Sequence, residues 1–348
     1  MRITKVETQL YRTTPRAEPI RDALQSLPGA GSVKVYIHSD AGFIGEGTSG
    51  FGRIQHAPQI LQQIIELELA PHLIGEDPFA IKRIREKLRR ETEYHGWSGI
   101  VQFGISAIDI ALWDVMGKTL GQPVHKLLGT YTERIPAYAM VGWLNYGKDE
   151  LKRICTDAME QGFRAVKIKV GCPTLEEDVQ RIEAVWDAIG KNAVLMVDAN
   201  QVFSTAEALI RGRVYQELGC YWFEEPFPTT NKEGLAELAR NLEIRVASGE
   251  NDYGKWAFRE LLEMRAVDVV QGDLRRAGGV TEIMEIAAMA DAFNIPYASH
   301  GGGVVNLNLL AAMPNACYLE TGLISPDSPL RIENGCALVP QGSGFSWG

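Results

Sequence analysis

Four short apolar runs decide the fold, namely AVKIK (165–169), AVLMVD (193–198), YWFE (221–224) and VASGE (246–250). Each run closes on a chargeable residue, in order Lys169, Asp198, Glu224 and Glu250. These residues follow one another at intervals of 29, 26 and 26 residues. Because a parallel strand, its return helix and two loops occupy roughly 20–30 residues, the rhythm predicts one functional group per β-strand and α-helix unit.

The same rhythm continues towards the C-terminus. Further apolar runs end at or near Asp273, His300 and Glu320, at intervals of 23, 27 and 20 residues. The complete series of runs lies near residues 135–139, 165–170, 194–198, 221–224, 245–248, 268–271, 296–299 and 317–320. About eight strands in one series predict an α/β barrel, whose strands open at their C-terminal ends on the face that carries the chemistry.

A different pattern precedes the barrel. Residues 1–12 and 33–46 alternate like strands, and helical periodicity then follows from residue 57 to residue 120. Strands followed by helices without alternation predict a separate α+β domain over residues 1–125, before a barrel over 126–326. The tail, 327–348, is expected to fold back over the first domain. The polar segment 13–31 contains Pro and Gly and predicts a long, mobile loop.

Composition narrows the possible partners and the compartment. With 45% hydrophobic and 23% charged residues, the chain is typical of a soluble globular protein. A net charge of −9 argues against nucleic acid or an anionic membrane as a partner. No run approaches the roughly 18 apolar residues of a membrane span. The five cysteines are scattered without a CxxC pair, which predicts reduced thiols in a cytoplasmic protein.

Three carboxylates at successive strand ends predict a metal site. Neighbouring strands lie about 4.8 Å apart, so Asp198, Glu224 and Glu250 can surround one point. Three carboxylates do not share a dry pocket unless a cation compensates them. An all-oxygen shell favours Mg²⁺, with Mn²⁺ possible, over zinc. Solvated loop acids would explain any one of them, but not three at matched strand ends.

Two lysines and a histidine provide candidate proton-transfer groups. Lys167 and Lys169 lie two residues apart on one side of a strand, which inside a barrel faces the lumen; a surface pair is the alternative. Their mutual repulsion and a nearby cation would lower the pKa of Lys169 and make it a general base. His300 follows a strand end next to that of Asp273, and a carboxylate partner would orient and activate the imidazole as an acid/base dyad.

In order and at these intervals, the motifs resemble those of the enolase superfamily and, within it, the mandelate racemase subgroup. The matching motifs are KIK (167–169), VDAN (197–200), FEEP (223–226), SGEN (248–251), DLRRAGGVTE (273–282) and SHGGG (299–303). The resemblance covers essentially the whole chain. It implies an α+β capping domain on a modified (β/α)7β barrel, and a homo-oligomer, either a dimer or an octamer.

The resemblance also implies roles for individual residues. Asp198, Glu224 and Glu250 would ligate Mg²⁺, while Lys169, with Lys167 beside it, and the His300–Asp273 dyad would face a bound hydroxy acid from opposite sides. Glu320 would hydrogen-bond the substrate carboxylate and Asn200 the adjacent hydroxyl. The shared step would be removal of the proton α to a carboxylate.

The overall reaction is predicted to be dehydration of an acid sugar, an aldonate or aldarate, to a 2-keto-3-deoxy acid. The loops of the first domain contain side chains that could hydrogen-bond a polyhydroxylated substrate: Arg16, Arg21, Arg53, His56, Tyr94, His95 and Trp97. His95 is predicted to contact the substrate, as is Arg276. For Arg276 and its neighbour Arg275, a structural salt bridge at the helix start is the alternative. Racemisation or epimerisation, cycloisomerisation of a sugar lactone or anhydro-sugar acid, and a non-catalytic binding barrel are the competing hypotheses.

Overall fold

The N-terminal domain is built on a three-stranded antiparallel sheet in a computed structural model that describes residues 1–51, 56–96 and 98–347. Its strands are β1 (Ile3–Arg12), β4 (Gly31–Ser39) and β5 (Ile44–Phe51), in the order β1-β4-β5. The helices that follow are α1 (Ala57–Gln63), which continues as a π-helical turn (Ile64–Leu69), α2 (Ile81–Glu91) and α3 (Ile100–Leu120). Apolar side chains from the sheet and these helices form one core.

Helix α3 lies between the two domains. It packs on β5 so closely that a Cβ added at Gly47 would lie 2.0 Å from the carbonyl oxygen of Ala107, which explains the glycine. By length and composition alone α3 could cross a membrane, contrary to the expectation that no run is apolar enough. However, 83% of its apolar window is buried inside the protein, as in the core helix of a globular domain.

Eight parallel strands form the closed barrel predicted from the sequence. They are β6 (Arg134–Gly142), β7 (Ala165–Lys169), β8 (Val194–Asp198), β9 (Trp222–Glu224), β10 (Arg245–Ser248), β11 (Val269–Asp273), β12 (Tyr297–His300) and β13 (Ala316–Thr321). Each strand pairs with the next, and β13 pairs with β6, with Glu320 opposite Tyr138. A helix returns the chain after each of the first seven strands, so the modified (β/α)7β architecture with an N-terminal capping domain is confirmed.

The return helices cover the outside of the barrel. They are α5 (Lys148–Glu160), α6 (Leu175–Ile189), α7 (Thr205–Glu217), α8 (Lys232–Asn241), α9 (Gly254–Glu263), α10 (Leu274–Ala277) with α11 (Val280–Ala292), and α12 (Val304–Ala311); the short α4 (Val124–Leu128) precedes β6. The main core lies between these helices and the strands. Strand register places Lys169 opposite Asp198, Asp198 opposite Glu224, and Asp273 opposite His300, which brings the chargeable strand ends to one level.

The segment between β1 and β4 contains more regular structure than the long, mobile loop predicted for it. It contains a small hairpin, β2 (Ile20–Arg21) and β3 (Ser26–Leu27), which is docked on the barrel loop that follows β6. The backbone N–H of Leu144 donates to the Arg21 carbonyl at 2.8 Å, and the Arg21 N–H donates to Asn145 Oδ1 at 2.9 Å. The predicted loop therefore contains a short hairpin, because contacts with the second domain hold a segment that is locally polar; its mobility stays a prediction.

The C-terminal segment contacts both domains. Strands β14 (Ile332–Glu333) and β15 (Cys336–Leu338) form a hairpin, and β15 pairs antiparallel with β6. Further on, the backbone N–H of Phe345 donates to Asp114 Oδ1 on α3 at 2.9 Å. The other oxygen of Asp114 accepts the N–H of Glu46 on β5 at 2.9 Å, so a single buried carboxylate joins the capping sheet to the tail.

Candidate active site

A cavity of about 390 Å³ lies over the C-terminal ends of the barrel strands. Barrel residues, including Lys169, Asn200 and His300, line its floor and sides. The β2–β3 hairpin of the capping domain contributes Asp22, Gln25 and Leu27 to its lining. The volume falls in the range of small-molecule sites, roughly 300–1,000 Å³, and the two domains build the cavity together.

Three buried carboxylates converge beside this cavity. One oxygen from each of Asp198, Glu224 and Glu250 lies within 4.8 Å of the others. Burial raises the pKa of Glu224 well above its ordinary value; Lys167 partly offsets the shift, and the charges of Asp198 and Glu250 add to it. Ionisation of Glu224 beside the other two carboxylates is therefore unfavourable without further positive charge. A divalent cation that prefers oxygen ligands fits this donor set.

The two lysines of β7 both point into the barrel lumen. Lys167 is fully buried and donates to Glu224 Oε1 at 2.6 Å and to Glu320 Oε2 at 2.5 Å. Lys169 is ion-paired with Asp198 and lies 5.5 Å from the ring centroid of Trp143. Outward-facing surface positions are therefore excluded for this pair, as the spacing of the two lysines predicts.

The lowering of the Lys169 pKa predicted beside a bound cation stays a prediction, because the protein contacts alone act in the opposite direction. Burial is the largest effect and lowers the pKa of Lys169, but the charges of Asp198, Glu250 and Glu224 together raise the pKa above its ordinary value. The repulsion from Lys167 acts in the predicted direction and is the smaller effect. A cation bound to Asp198 would weaken the ion pair and favour the neutral amine.

His300 and Asp273 form the predicted pair at the ends of the neighbouring strands β12 and β11. His300 Nδ1 lies 2.7 Å from Asp273 Oδ2, and His300 Nε2 lies 3.4 Å from Glu250 Oε2. Burial would lower the pKa of His300, but the charge of Glu250 and the hydrogen bond with Asp273 raise it. Burial would likewise raise the pKa of Asp273, yet Arg275 and His300 hold it well below its usual value. The carboxylate therefore stays ionised and orients the ring.

Glu320 and Asn200 also lie at the cavity. Glu320 Oε1 accepts the backbone N–H of Gly301 at 2.9 Å, while its Oε2 contacts Lys167. Asn200 has a positive φ of 46°, and its backbone N–H donates to Asp198 Oδ1 at 2.8 Å. Its side-chain Oδ1 is buried without a hydrogen-bond partner among the described residues, as expected of a group that meets a ligand.

The adjacent arginines Arg275 and Arg276 differ in their contacts. Arg275 forms an ion pair with Asp273, which is the structural salt bridge considered from the sequence. Arg276 lines the cavity and donates from Nη1 to the backbone carbonyl of Glu250 at 3.1 Å. Its guanidinium thus supports the loop that carries a metal-ligand candidate, and the substrate contact predicted for it stays a prediction.

The structure does not place His95 at the cavity. Its imidazole is half exposed at the end of a short 3-10 helix (Glu93–His95), and its nearest acidic group is Glu68 at 3.9 Å. Gly96, with a positive φ of 75°, ends this turn on the protein surface. Of the remaining polar candidates in the first domain, Arg53 and Trp97 lie outside the described residues, and the cavity lining does not include the other four: Arg16, Arg21, His56 and Tyr94.

Sequence reasoning missed several side chains that line the cavity, among them Asp22, Gln25 and Trp143. Asp22 Oδ1 accepts the backbone N–H groups of Leu24 and Gln25, at 2.8 and 2.7 Å, and so forms the turn of the hairpin. Aspartate capping its own turn is a recognisable local signal. That signal predicts a turn; it does not predict which surface the turn covers.

Comparisons with known proteins agree with this architecture. Residues 5–129 match the mandelate racemase/muconate lactonizing enzyme N-terminal domain, and residues 150–347 match the enolase C-terminal domain-like family. The chain therefore belongs to the mandelate racemase/muconate lactonizing enzyme family of the enolase superfamily.

Individual relatives lie at about one-third identity. Arabinonate dehydratase of Saccharolobus solfataricus is 35% identical, over 90% of this chain and 87% of the relative. The 3,6-anhydro-alpha-L-galactonate cycloisomerase of Streptomyces coelicolor is 30% identical, over 98% of this chain and 95% of the relative. The crystal structure of L-talarate/galactarate dehydratase from Salmonella typhimurium with Mg and L-lyxarohydroxamate superposes with a TM-score of 0.94 at 32% identity, covering 100% of this chain and 90% of that one.

Proposed function

We propose that this protein is a Mg²⁺-dependent acid-sugar dehydratase. It removes the proton α to the carboxylate of an aldonate or aldarate, eliminates the β-hydroxyl as water and yields a 2-keto-3-deoxy acid. The observation that carries the proposal is the placement of a buried carboxylate triad beside one cavity that both Lys169 and His300 line. The named activities of the dehydratase relatives support the same reaction class.

In this proposal Asp198, Glu224 and Glu250 hold the ion. When bound, Mg²⁺ supplies positive charge against the negative charge that develops on the substrate carboxylate as the α-proton leaves. Lys169, in its neutral form, accepts that proton. The α C–H electron pair forms the new C=C bond, and the β C–O bond breaks.

His300 serves as the acid for the leaving hydroxyl. Because Nδ1 is bonded to Asp273, the second ring nitrogen, Nε2, is the one free to face substrate. The raised pKa of His300 favours the protonated ring that this step requires. Its proton joins the departing hydroxyl as water, and the remaining enol tautomerises to the 2-keto acid. Glu320 is proposed to contact the substrate carboxylate and Asn200 the neighbouring hydroxyl.

Cycloisomerisation is the second candidate, since two cycloisomerases match at 30% and 31% identity. The same base and acid would act, but the β-oxygen would belong to a ring of the substrate. Its departure would open the ring and release no water. A mass balance therefore separates the two reactions: dehydration lowers the mass of the acid by one water, and cycloisomerisation leaves it unchanged.

The test is a screen of aldonates, aldarates, their lactones and anhydro-sugar acids with Mg²⁺ in D₂O. We expect loss of the α-proton signal and a 2-keto acid for at least one aldonate or aldarate, and no reaction with EDTA. Lys169→Ala and His300→Asn should each abolish dehydration, while one of them retains exchange of an α-proton of matching stereochemistry. Full turnover by both variants would refute the assigned roles. Mg²⁺ binding without exchange on any acid would favour a non-catalytic binding barrel.

The same proposal includes the assembly and the compartment. We expect a homo-oligomer, a dimer or an octamer, as the family resemblance implies. We expect a cytoplasmic protein, since all five cysteines are free thiols in the structure. Light scattering of the purified chain tests the first expectation and cell fractionation the second.

A further inference from the structure

A hydrogen-bonded layer lies inside the barrel beneath the carboxylates. The lumen below the site is otherwise filled by small and apolar side chains, among them Ala165, Met196 and Ala298. Tyr138 of β6 and Gln271 of β11 are both fully buried there, and neither lines the cavity. They therefore cannot meet the substrate directly.

Tyr138 connects this layer to the site. Its hydroxyl lies 2.6 Å from Glu320 Oε2 and 3.0 Å from Gln271 Nε2. An ionised carboxylate has no proton to give, so the tyrosine donates its only proton to Glu320 and accepts the hydrogen bond from the Gln271 amide. The direction of both hydrogen bonds follows from this.

Glu320 is consequently fixed by three donors from three strands and loops. Oε2 accepts from Tyr138 and from Lys167, and Oε1 accepts from the backbone of Gly301. The ring of Tyr138 also lies 5.2 Å from the ammonium of Lys167, which bridges Glu320 and Glu224. Tyr138 thus contacts both Glu320, which is proposed to bind the substrate carboxylate, and Lys167, which is ion-paired with the metal-ligand candidate Glu224.

Packing alone does not require this hydroxyl. The ring of Tyr138 makes edge contacts with Trp222 and Tyr318, at centroid distances of 5.3 and 6.1 Å, and phenylalanine would preserve both. Burying a hydroxyl without a partner costs about 1–3 kcal/mol, so a tyrosine at such a position is favourable only when its hydrogen bonds are made. Here the hydroxyl donates to Glu320 and accepts from Gln271, so both of its hydrogen bonds are made.

We propose that Tyr138 is a positioning residue for the reaction, and that Gln271 in turn orients Tyr138. The hydroxyl holds Glu320 in the rotamer that directs Oε1 towards Gly301 and the cavity, and it keeps Oε2 available to Lys167. This inference rests on the proposed function for its kinetic consequence; the placement of Glu320 can be measured without it.

The kinetic test compares Tyr138→Phe with the matched control Tyr318→Phe, whose hydroxyl contacts none of the described residues through a hydrogen bond. The Mg²⁺-loaded proteins are assayed for α-proton exchange with the best acid from the D₂O screen. We expect kcat of Tyr138→Phe to fall about 10- to 100-fold, the effect of one lost hydrogen bond to a charged group, with KM little changed. Tyr318→Phe should match the wild type.

Two further measurements separate positioning from a general structural effect. Because Tyr138 acts through Glu320, adding Tyr138→Phe to Glu320→Gln should lower the exchange rate no further, whereas independent effects would multiply. In crystals of Tyr138→Phe, the Glu320 side chain should leave its wild-type rotamer, and in Tyr318→Phe it should stay.

The outcomes distinguish the two proposals. Three results would each overturn the inference. The first is that Tyr138→Phe exchanges the α-proton as fast as the wild type. The second is that the effects of Tyr138→Phe and Glu320→Gln multiply, and the third is that Glu320 keeps its rotamer in crystals of Tyr138→Phe. If the wild type exchanged no acid, the proposed function would fail, and the Glu320 rotamer in the crystals would still decide whether Tyr138 positions it.

Discussion

At the scale of single residues, Glu225 holds an unusual place beside the metal-ligand candidates. It is buried directly after Glu224 with a positive φ of 38°, and Asn251 Nδ2 donates to both of its oxygens at 2.8 Å. A second amide, from Gln201, donates at 3.1 Å. Its carboxylate therefore ties together the loops that follow β8, β9 and β10, next to the strand ends where Asp198, Glu224 and Glu250 lie.

Replacement of Glu225 by Gln should weaken Mg²⁺ binding. The new amide would present hydrogens to Asn251 and Gln201, and it would remove a negative charge next to the triad. Substitution of residues that orient metal ligands commonly costs about 10- to 100-fold in metal affinity, and we expect a loss of about 10-fold by titration calorimetry. The exposed Glu243→Gln is the control. Equal affinities in all three proteins would contradict this role.

At the same scale, the acids and bases at the strand ends were predictable, but the contacts of the capping domain were not. Asp198, Glu224 and Glu250 are recognisable because a barrel converts sequence spacing into proximity. His95 is a plausible ligand by residue type, yet it is half exposed beside Glu68. Nothing in a single sequence fixes where a loop of one domain lies on another.

At the scale of elements, the β2–β3 hairpin depends on the barrel for its position. Asn145 supplies the only side-chain acceptor that the described residues offer to the Arg21 N–H. Asn145→Ala should raise KM about three- to tenfold with a smaller change in kcat, because one hydrogen bond worth about 0.5–1.5 kcal/mol holds the covering hairpin. Asn241→Ala, at the exposed end of α8, is the control. An unchanged KM would show that the hairpin is held by other contacts.

A buried ion pair joins α2 to α3 where these helices contact α11 of the barrel. Asp109 of α3 is fully buried, and it accepts from Arg85 of α2 at 3.1 Å and from Thr281 Oγ1 of α11 at 2.7 Å. Burial raises the pKa of Asp109, although Arg85 partly offsets the shift. The carboxylate thus depends on its arginine.

Arg85→Met should therefore destabilise the protein. Removing one partner of a buried pair costs about 3–5 kcal/mol in free energy of unfolding, since it leaves the other charge uncompensated. Denaturant unfolding measures the loss. Arg83→Met on the same helix removes an exposed pair with Glu76 and should cost less than about 1 kcal/mol. Similar values for both variants would contradict the importance of the buried Arg85–Asp109 pair.

Prediction of the elements succeeded where periodicity is local. The eight barrel strands lie within a few residues of the apolar runs, because buried parallel strands are continuous apolar segments. The hairpin at residues 20–27 was missed, because its strands are two residues each and the hydrogen bonds that dock it on the barrel come from residues more than 100 positions away.

At the scale of the whole molecule, the carboxylate triad links metal binding to stability. An ion that binds the folded chain alone stabilises it by about 2.7 kcal/mol at a concentration 100 times its Kd. We expect Mg²⁺ to raise the melting temperature in a concentration-dependent way, and Asp198→Asn to abolish most of the rise. Ca²⁺ and Mn²⁺ serve as comparison ions. A melting temperature that does not respond to any of them would contradict a metal site.

The pairing of the last barrel strand with the first has a consequence for synthesis on the ribosome. Glu320 and its partner Tyr138 are 182 residues apart, and at roughly 5–20 residues per second their codons are read about 10–40 s apart. Throughout that interval β6 has an open edge where β13 will later pair, and Lys167 lacks its counter-ion Glu320. A nascent chain thus lacks a closed barrel until its last barrel strand emerges, and an early stop would release an exposed strand edge prone to aggregation.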